Sequence, residues 1–250
     1  MTEMMFENLE VQQQEEVPSL KDFRQAVDTL RNPRESAIIK LVYLGAFRSS
    51  EVCCKTTPWE LRNNKTKPYG QTLSCSFGEF EINGKMEKIL LLKGLVAKRY
   101  RKPKKEGDKA RAVFKTIALP CNPDYEPWTL DLLKFIQQQA KEHKKDPEWT
   151  WHKGLQLDMV RMTLQNIVKR NLKRLFPKIH VHSLRHFRCT HLILAYDFNP
   201  FQLACFAGWT LKTGFSGLGI SSSSMLDTYT HIRWKDYIKK LFKPITQLTN

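Results

Sequence analysis

The segment His182-Ser183-Leu184-Arg185-His186 is the densest concentration of chemistry-bearing side chains in the chain. His182 and Arg185 stand about one helical turn apart, so both can face one phosphate oxygen near a helix N-terminus, where unpaired backbone N–H groups favour an anion. An H-x-x-R pair alone is a common accident in a chain with seven His, and a solvated basic helix start accounts for it about equally well. His182 and His186 also have the i, i+4 spacing of two metal ligands, with Cys189 on the same helix. Ser183 stands where a metalloprotease helix carries Glu, and Arg185 would set a cation beside the metal. No metal and no cofactor is therefore expected.

These residues need a scaffold, and the apolar periodicity supplies one. A capping signal at Ser19-Leu20-Lys21-Asp22 opens a helix to about Leu30, and a second runs over Glu35–Leu44 after Asn32-Pro33. Arg48–Val52 reads as a short helix closed before Pro58. Three strands are expected at Leu73–Ile82, Lys88–Lys98 and Ala112–Leu119, the first turn being Asn83-Gly84. After Pro127 the pattern is helical at about 129–142, 155–175, 183–196 and 200–207, with a last helix near 231–242. The predicted fold is α+β, mostly α-helical, with a small three-stranded antiparallel sheet in the N-terminal half. Residues 1–18 read as an acidic tail, 19–230 as one domain, and 231–250 as a C-terminal tail helix.

The charge points to the partner. Among 250 residues, 41 Lys+Arg against 25 Asp+Glu give a net charge of +16, which favours a polyanion over a small neutral substrate. The polar run between the second and third strands carries Lys98, Arg99, Arg101, Lys102, Lys104 and Lys105, a cationic finger at the hairpin tip. Arg161, Lys169, Arg170, Lys173 and Arg188 belong to a second basic region, Arg161 to Arg188, that contains no acid. The six Cys form no C-x-x-C pair, and no apolar run approaches the about 20 residues of a membrane span. The acidic start lacks the positive n-region of a signal peptide. An intracellular location without a membrane follows as the expectation: cytoplasm or nucleoid of a prokaryotic or viral host, or the nucleus if the host is eukaryotic.

The run His182-Ser183-Leu184-Arg185-His186 with His191-Leu192, the Ala207-Gly208-Trp209 box and Thr228-Tyr229-Thr230-His231 follow one another in order. Ahead of them stands Leu44-Gly45-Ala46-Phe47-Arg48-Ser49-Ser50-Glu51-Val52. In these four boxes, spanning about 19–235, the chain resembles the catalytic domain of the tyrosine recombinase (phage-integrase-type) family. Two departures from that pattern are the 20 residues from Trp209 to Tyr229 and the short stretch ahead of the first box, where most relatives carry a core-binding domain.

The resemblance implies a DNA recombinase that cleaves and rejoins strands through a 3′-phosphotyrosine, without metal or high-energy cofactor. Tyr229 would be the nucleophile, and Arg48 and Arg185 would clamp the non-bridging oxygens with forked guanidinium donors. His182 would manage the tyrosine proton or help to hold the phosphate, Trp209 would donate an indole N–H or pack to position the tyrosine, and Glu51 would orient Arg48. A hairpin lysine, Lys98 first and Lys102 second, would protonate the leaving 5′-hydroxyl. The other basic residues would contact phosphates of double-stranded DNA. The tail after Tyr229 either packs on its own domain or, as the resemblance implies, would dock on a neighbouring protomer, four protomers assembling on DNA from a chain that is monomeric when free. The competing readings are a type IB topoisomerase-like nicking and resealing enzyme and a non-catalytic DNA-binding protein on the same fold.

Overall fold

Side-chain acceptors placed just ahead of the helices satisfy the unpaired N–H groups of their first turns. The computed structural model describes residues 17–53, 55, 73–95, 114–142, 157–209 and 233–248. Ser19 caps α1 (Leu20–Asp28) by accepting from the Asp22 N–H at 3.1 Å. Asn32 and Asn199 cap α2 (Pro33–Leu44) and α7 (Pro200–Ala207), each followed by a proline whose fixed φ suits the first helical position. Between them lie α3 (Ser49–Val52), α4 (Trp128–Glu142), α5 (Arg161–Leu172) and α6 (Val181–Leu194).

The sheet is antiparallel in the order β1 (Leu73–Ile82), β2 (Lys85–Leu95), β3 (Phe114–Pro120). Asn83 and Gly84 both hold positive φ, the conformation a two-residue hairpin turn needs to match strand twist. The molecule is therefore α+β with a small three-stranded antiparallel sheet, and no described helix is long and apolar enough to cross a membrane.

Helix α2 is apolar nearly all round, and from Ser36 to Leu44 every residue is buried. It is the central element, packed on α6, α4 and α1. Phe23 of α1 fills the junction, its ring centroid 4.7 Å from Tyr43 and 5.7 Å from Phe187. Beside it Arg24 is buried and pairs with both oxygens of Glu126 at 2.7–2.8 Å.

Two stretches depart from their helical periodicity. Leu157 is buried in a parallel bridge with Cys53, its N–H meeting the Val52 carbonyl at 2.9 Å, so the helix expected from 155 starts only at Arg161. The C-terminal segment is three 3-10 turns, Trp234–Asp236, Ile238–Leu241 and Ile245–Gln247, in place of one helix. Tyr237, Ile238, Leu241 and Phe242 are buried here against their own chain, with the Tyr237 hydroxyl donating to the Thr116 carbonyl at 3.0 Å. The Ile245 N–H is tied to the Asp124 carbonyl, which draws the segment off a helical path.

Candidate functional site

The site is built around the turn that follows α2. Ala46 has φ of 44°, a left-handed conformation unfavourable for a residue with a Cβ. Buried donors hold it: Lys115 Nζ donates to the carbonyls of Gly45 (2.9 Å) and Ala46 (3.1 Å), and Arg185 Nη1 donates to Ala46 as well. Two glycines leave room for Phe47, whose ring folds back over the turn. A Cβ on Gly45 would lie 2.0 Å from that ring, and one on Gly94 of β2 2.7 Å from it. Lys115 also lies over the Phe47 ring, 4.5 Å from its centroid.

The turn delivers Arg48 to the start of α3, where Glu51 takes hold of it twice. Glu51 Oε1 accepts from Arg48 Nη1 at 2.9 Å, and Oε2 accepts from the Arg48 backbone N–H at 3.0 Å. Glu51 is fully buried, and Lys115 Nζ approaches its Oε2 at 3.5 Å.

Arg185 enters from α6, which His180 caps by accepting the Ser183 N–H on Nδ1 at 2.9 Å. Arg185 is 2 % exposed, its Nη2 donating to the Ala207 carbonyl at 2.8 Å as Nη1 donates to Ala46. Of its five N–H donors, two are engaged by these carbonyls, and the other three have no partner among the described residues. Gly208 ends α7 with φ of 69°, and Trp209 follows with its ring 5.6 Å from the Arg185 guanidinium. His182 lies exposed on the first turn of α6. Partial desolvation, then the positive fields of Arg185, His180, Arg48 and His186, hold its imidazole below the usual value. It is neutral near pH 7 and able to accept a proton.

Arg48, Glu51, His182, Arg185 and Trp209 are thus brought into one neighbourhood. Lys98, Arg99, Arg101, Lys102, Lys104, Lys105 and the nucleophile candidate Tyr229 lie outside the described residues. Arg161 opens α5, and Lys169, Arg170 and Lys173 lie exposed at its far end, with Arg170 paired to Glu35.

Arg188 does not join the surface set. It is 1 % exposed, its guanidinium stacked within 5.3–5.7 Å of the Tyr43, Tyr196 and Phe206 rings, so it cannot reach an external phosphate. Position explains this: Phe187 and Cys189, its neighbours on α6, are buried too.

Cys189, considered above as a metal ligand, is kept in its neutral thiol form by burial. Among the described residues no three His, Cys, Asp or Glu side chains gather as a metal site would require.

Lys115 is the member of this cluster that motif reading missed. Burial lowers its ammonium from an ordinary 10.5 to about 8; Glu51 counters that shift, while Arg185 and Arg48 add to it. The signal in the sequence is the strand period: Lys115, Ile117 and Leu119 alternate in phase, so the lysine faces inward with the core residues.

Among the described residues the cluster therefore holds three cations, Arg48, Lys115 and Arg185, against one carboxylate, Glu51. Comparisons of the chain with family models, curated proteins and solved structures returned no match.

Proposed function

We propose that the chain is a tyrosine-recombinase-like DNA strand transferase, built on the catalytic-domain fold of that family. The observation that carries the reading is the excess positive charge buried around Arg48 and Arg185. Like charges out of water repel and are poorly solvated, so the arrangement favours an anion that binds between them. A phosphodiester fits, since its non-bridging oxygens match forked guanidinium donors.

Tyr229 attacks the phosphorus, its phenol proton passing to neutral His182, and the DNA 5′-hydroxyl leaves with a proton from the hairpin lysine, Lys98 or Lys102. The phosphodiester bond is exchanged for a 3′-phosphotyrosine, so the reverse attack by a 5′-hydroxyl reseals the strand. Arg48 and Arg185 neutralise the charge that grows on the equatorial oxygens, the largest contribution in reactions of this kind. Trp209, beside Arg185, packs the tyrosine into line. The partners are double-stranded DNA and further copies of the chain, four in all, assembled on it.

The test is covalent trapping on nicked suicide duplexes that carry candidate sites. Unmodified protein should yield a metal-independent adduct on a denaturing gel, and Tyr229→Phe should bind the duplex without forming one. Tight binding with no adduct on any duplex would leave a DNA-binding protein that lacks catalysis. An adduct with relaxation of supercoils but no strand exchange between duplexes would make the chain topoisomerase-like.

A further inference from the structure

Beside the start of α6 lies an open groove of about 400 Å³, lined by Gln165, Lys169, Lys173, Pro177, Lys178, Ile179 and His180. Among the described residues no carboxylate lines it. Gln165, Lys169 and Lys173 follow one another at four-residue spacing, which places them on one stripe along α5 and its C-cap. Lys169 and Lys173 are exposed and belong to no ion pair among the described residues. The neighbouring stripe of α5 is different, because Glu35 of α2 takes both Arg170 and Asn171. Among the described residues, Glu35 thus compensates charge on one flank of the helix, while Lys169 and Lys173 on the other face no carboxylate.

The groove adjoins the site. His180 lines it and caps α6, and the His180 and His182 rings lie 6.2 Å apart, with His182 in the field of Arg48 and Arg185. Two of the first α6 N–H groups are already used, since Gln165 Oε1 accepts from Val181 and His180 from Ser183. Attraction in the groove therefore comes from the lysine side chains, flexible point charges that suit a phosphate chain passing at variable depth.

Resting on the strand-transfer reading above, we infer that this groove binds the nucleic-acid backbone flanking the phosphate held by Arg48 and Arg185, so that one strand runs from the cluster past His182 and His180 onto Lys169 and Lys173. These contacts set the register of the strand and carry no base information. They act on affinity at every sequence alike and leave the chemical step untouched.

The measurement is duplex affinity as a function of salt concentration for the unmodified chain, for Lys169→Gln with Lys173→Gln, and for a control pair of exposed lysines outside the groove, Lys21→Gln with Lys141→Gln. Each phosphate contact contributes about 0.9 to the slope of log affinity against log salt. The groove pair should lower that slope by about 1.8, equally on unrelated sequences. Inorganic phosphate should displace the duplex no better than chloride at equal ionic strength. Normal binding with an unchanged slope, or a slope lowered as much by the control pair, would overturn the groove assignment alone. Selective displacement by phosphate would overturn it in favour of a site for a free phosphate. No duplex binding by the unmodified chain would overturn the strand-transfer reading and this inference together.

Discussion

Lys115 Nζ lies 3.5 Å from Glu51 Oε2, and both side chains are closed to solvent. The contact joins β3 to α3, while the same ammonium holds the carbonyls of Gly45 and Ala46. One lysine thus supports the turn, balances the carboxylate that grips Arg48, and adds a cation to the site.

Anion affinity should fall as pH rises through about 8, where Lys115 loses its proton. The stability effect has the opposite sign. The folded-state value lies below the ordinary 10.5, so folding disfavours the charged form, and this penalty is relieved between pH about 8 and 10.5. Duplex affinity measured across that range should show the step in the unmodified chain and lose it in Lys115→Met. An identical profile in the variant would remove Lys115 from the site's electrostatics.

Glu51→Gln should cost stability of about 3 kcal/mol, because it removes a carboxylate facing buried Lys115 and the partner of Arg48. Urea unfolding reads the loss as a lowered midpoint. The same change should move the Lys115 step to lower pH, since Glu51 is the main group that raises its proton affinity.

His191 is predicted to give the fold an acid sensitivity. Its Nδ1 meets the Tyr43 hydroxyl at 2.7 Å and its Nε2 meets the Pro18 carbonyl at 2.7 Å, so Nε2–H donates to Pro18 and Nδ1 accepts from Tyr43. Burial lowers the imidazole from 6.5 to about 4. Below pH 6.5 the unfolded chain takes up a proton that the folded chain refuses, and stability is lost as pH falls towards about 4. The loss reaches about 3 kcal/mol over that window. Chemical denaturation at stepped pH should show it, and His191→Gln should remove this part of the slope.

Gly94→Ala places a methyl 2.7 Å from the Phe47 ring and should destabilise by about 1–3 kcal/mol through overpacking. Phe47→Leu in the same chain should recover part of the loss. Absence of recovery in the thermal midpoint of the double variant would mean that the ring is not what the methyl meets.

Much of the architecture is legible in the sequence because its signals are local. The Asn83-Gly84 turn, the Asn32-Pro33 and Asn199-Pro200 caps, and the Arg48–Glu51 spacing each need only a few neighbouring residues. The parts that are not legible depend on distant partners. Residues 157–160 carry helical periodicity, yet pairing with Cys53 holds Leu157 extended. Trp234, Tyr237, Leu241 and Phe242 are spaced as on a helix, but the Tyr237 bond to β3 and the Ile245 bond to residue 124 draw the segment into 3-10 turns. Arg188 reads as one more cation of a basic helix, and only the packing of Tyr43, Tyr196 and Phe206 shows that it belongs to the core.

The two carbonyls that Arg185 joins, those of Ala46 and Ala207, come from opposite ends of the chain, 139 residues before it and 22 after. Contacts so distant in sequence close large loops and form only when most of the chain has already collapsed. The oxygens of a captured anion would therefore meet Arg48 and Arg185 together only in the fully assembled molecule. Anion binding and global folding become one linked equilibrium, in which ligand raises the melting temperature by mass action and slows exchange of the most protected core amides.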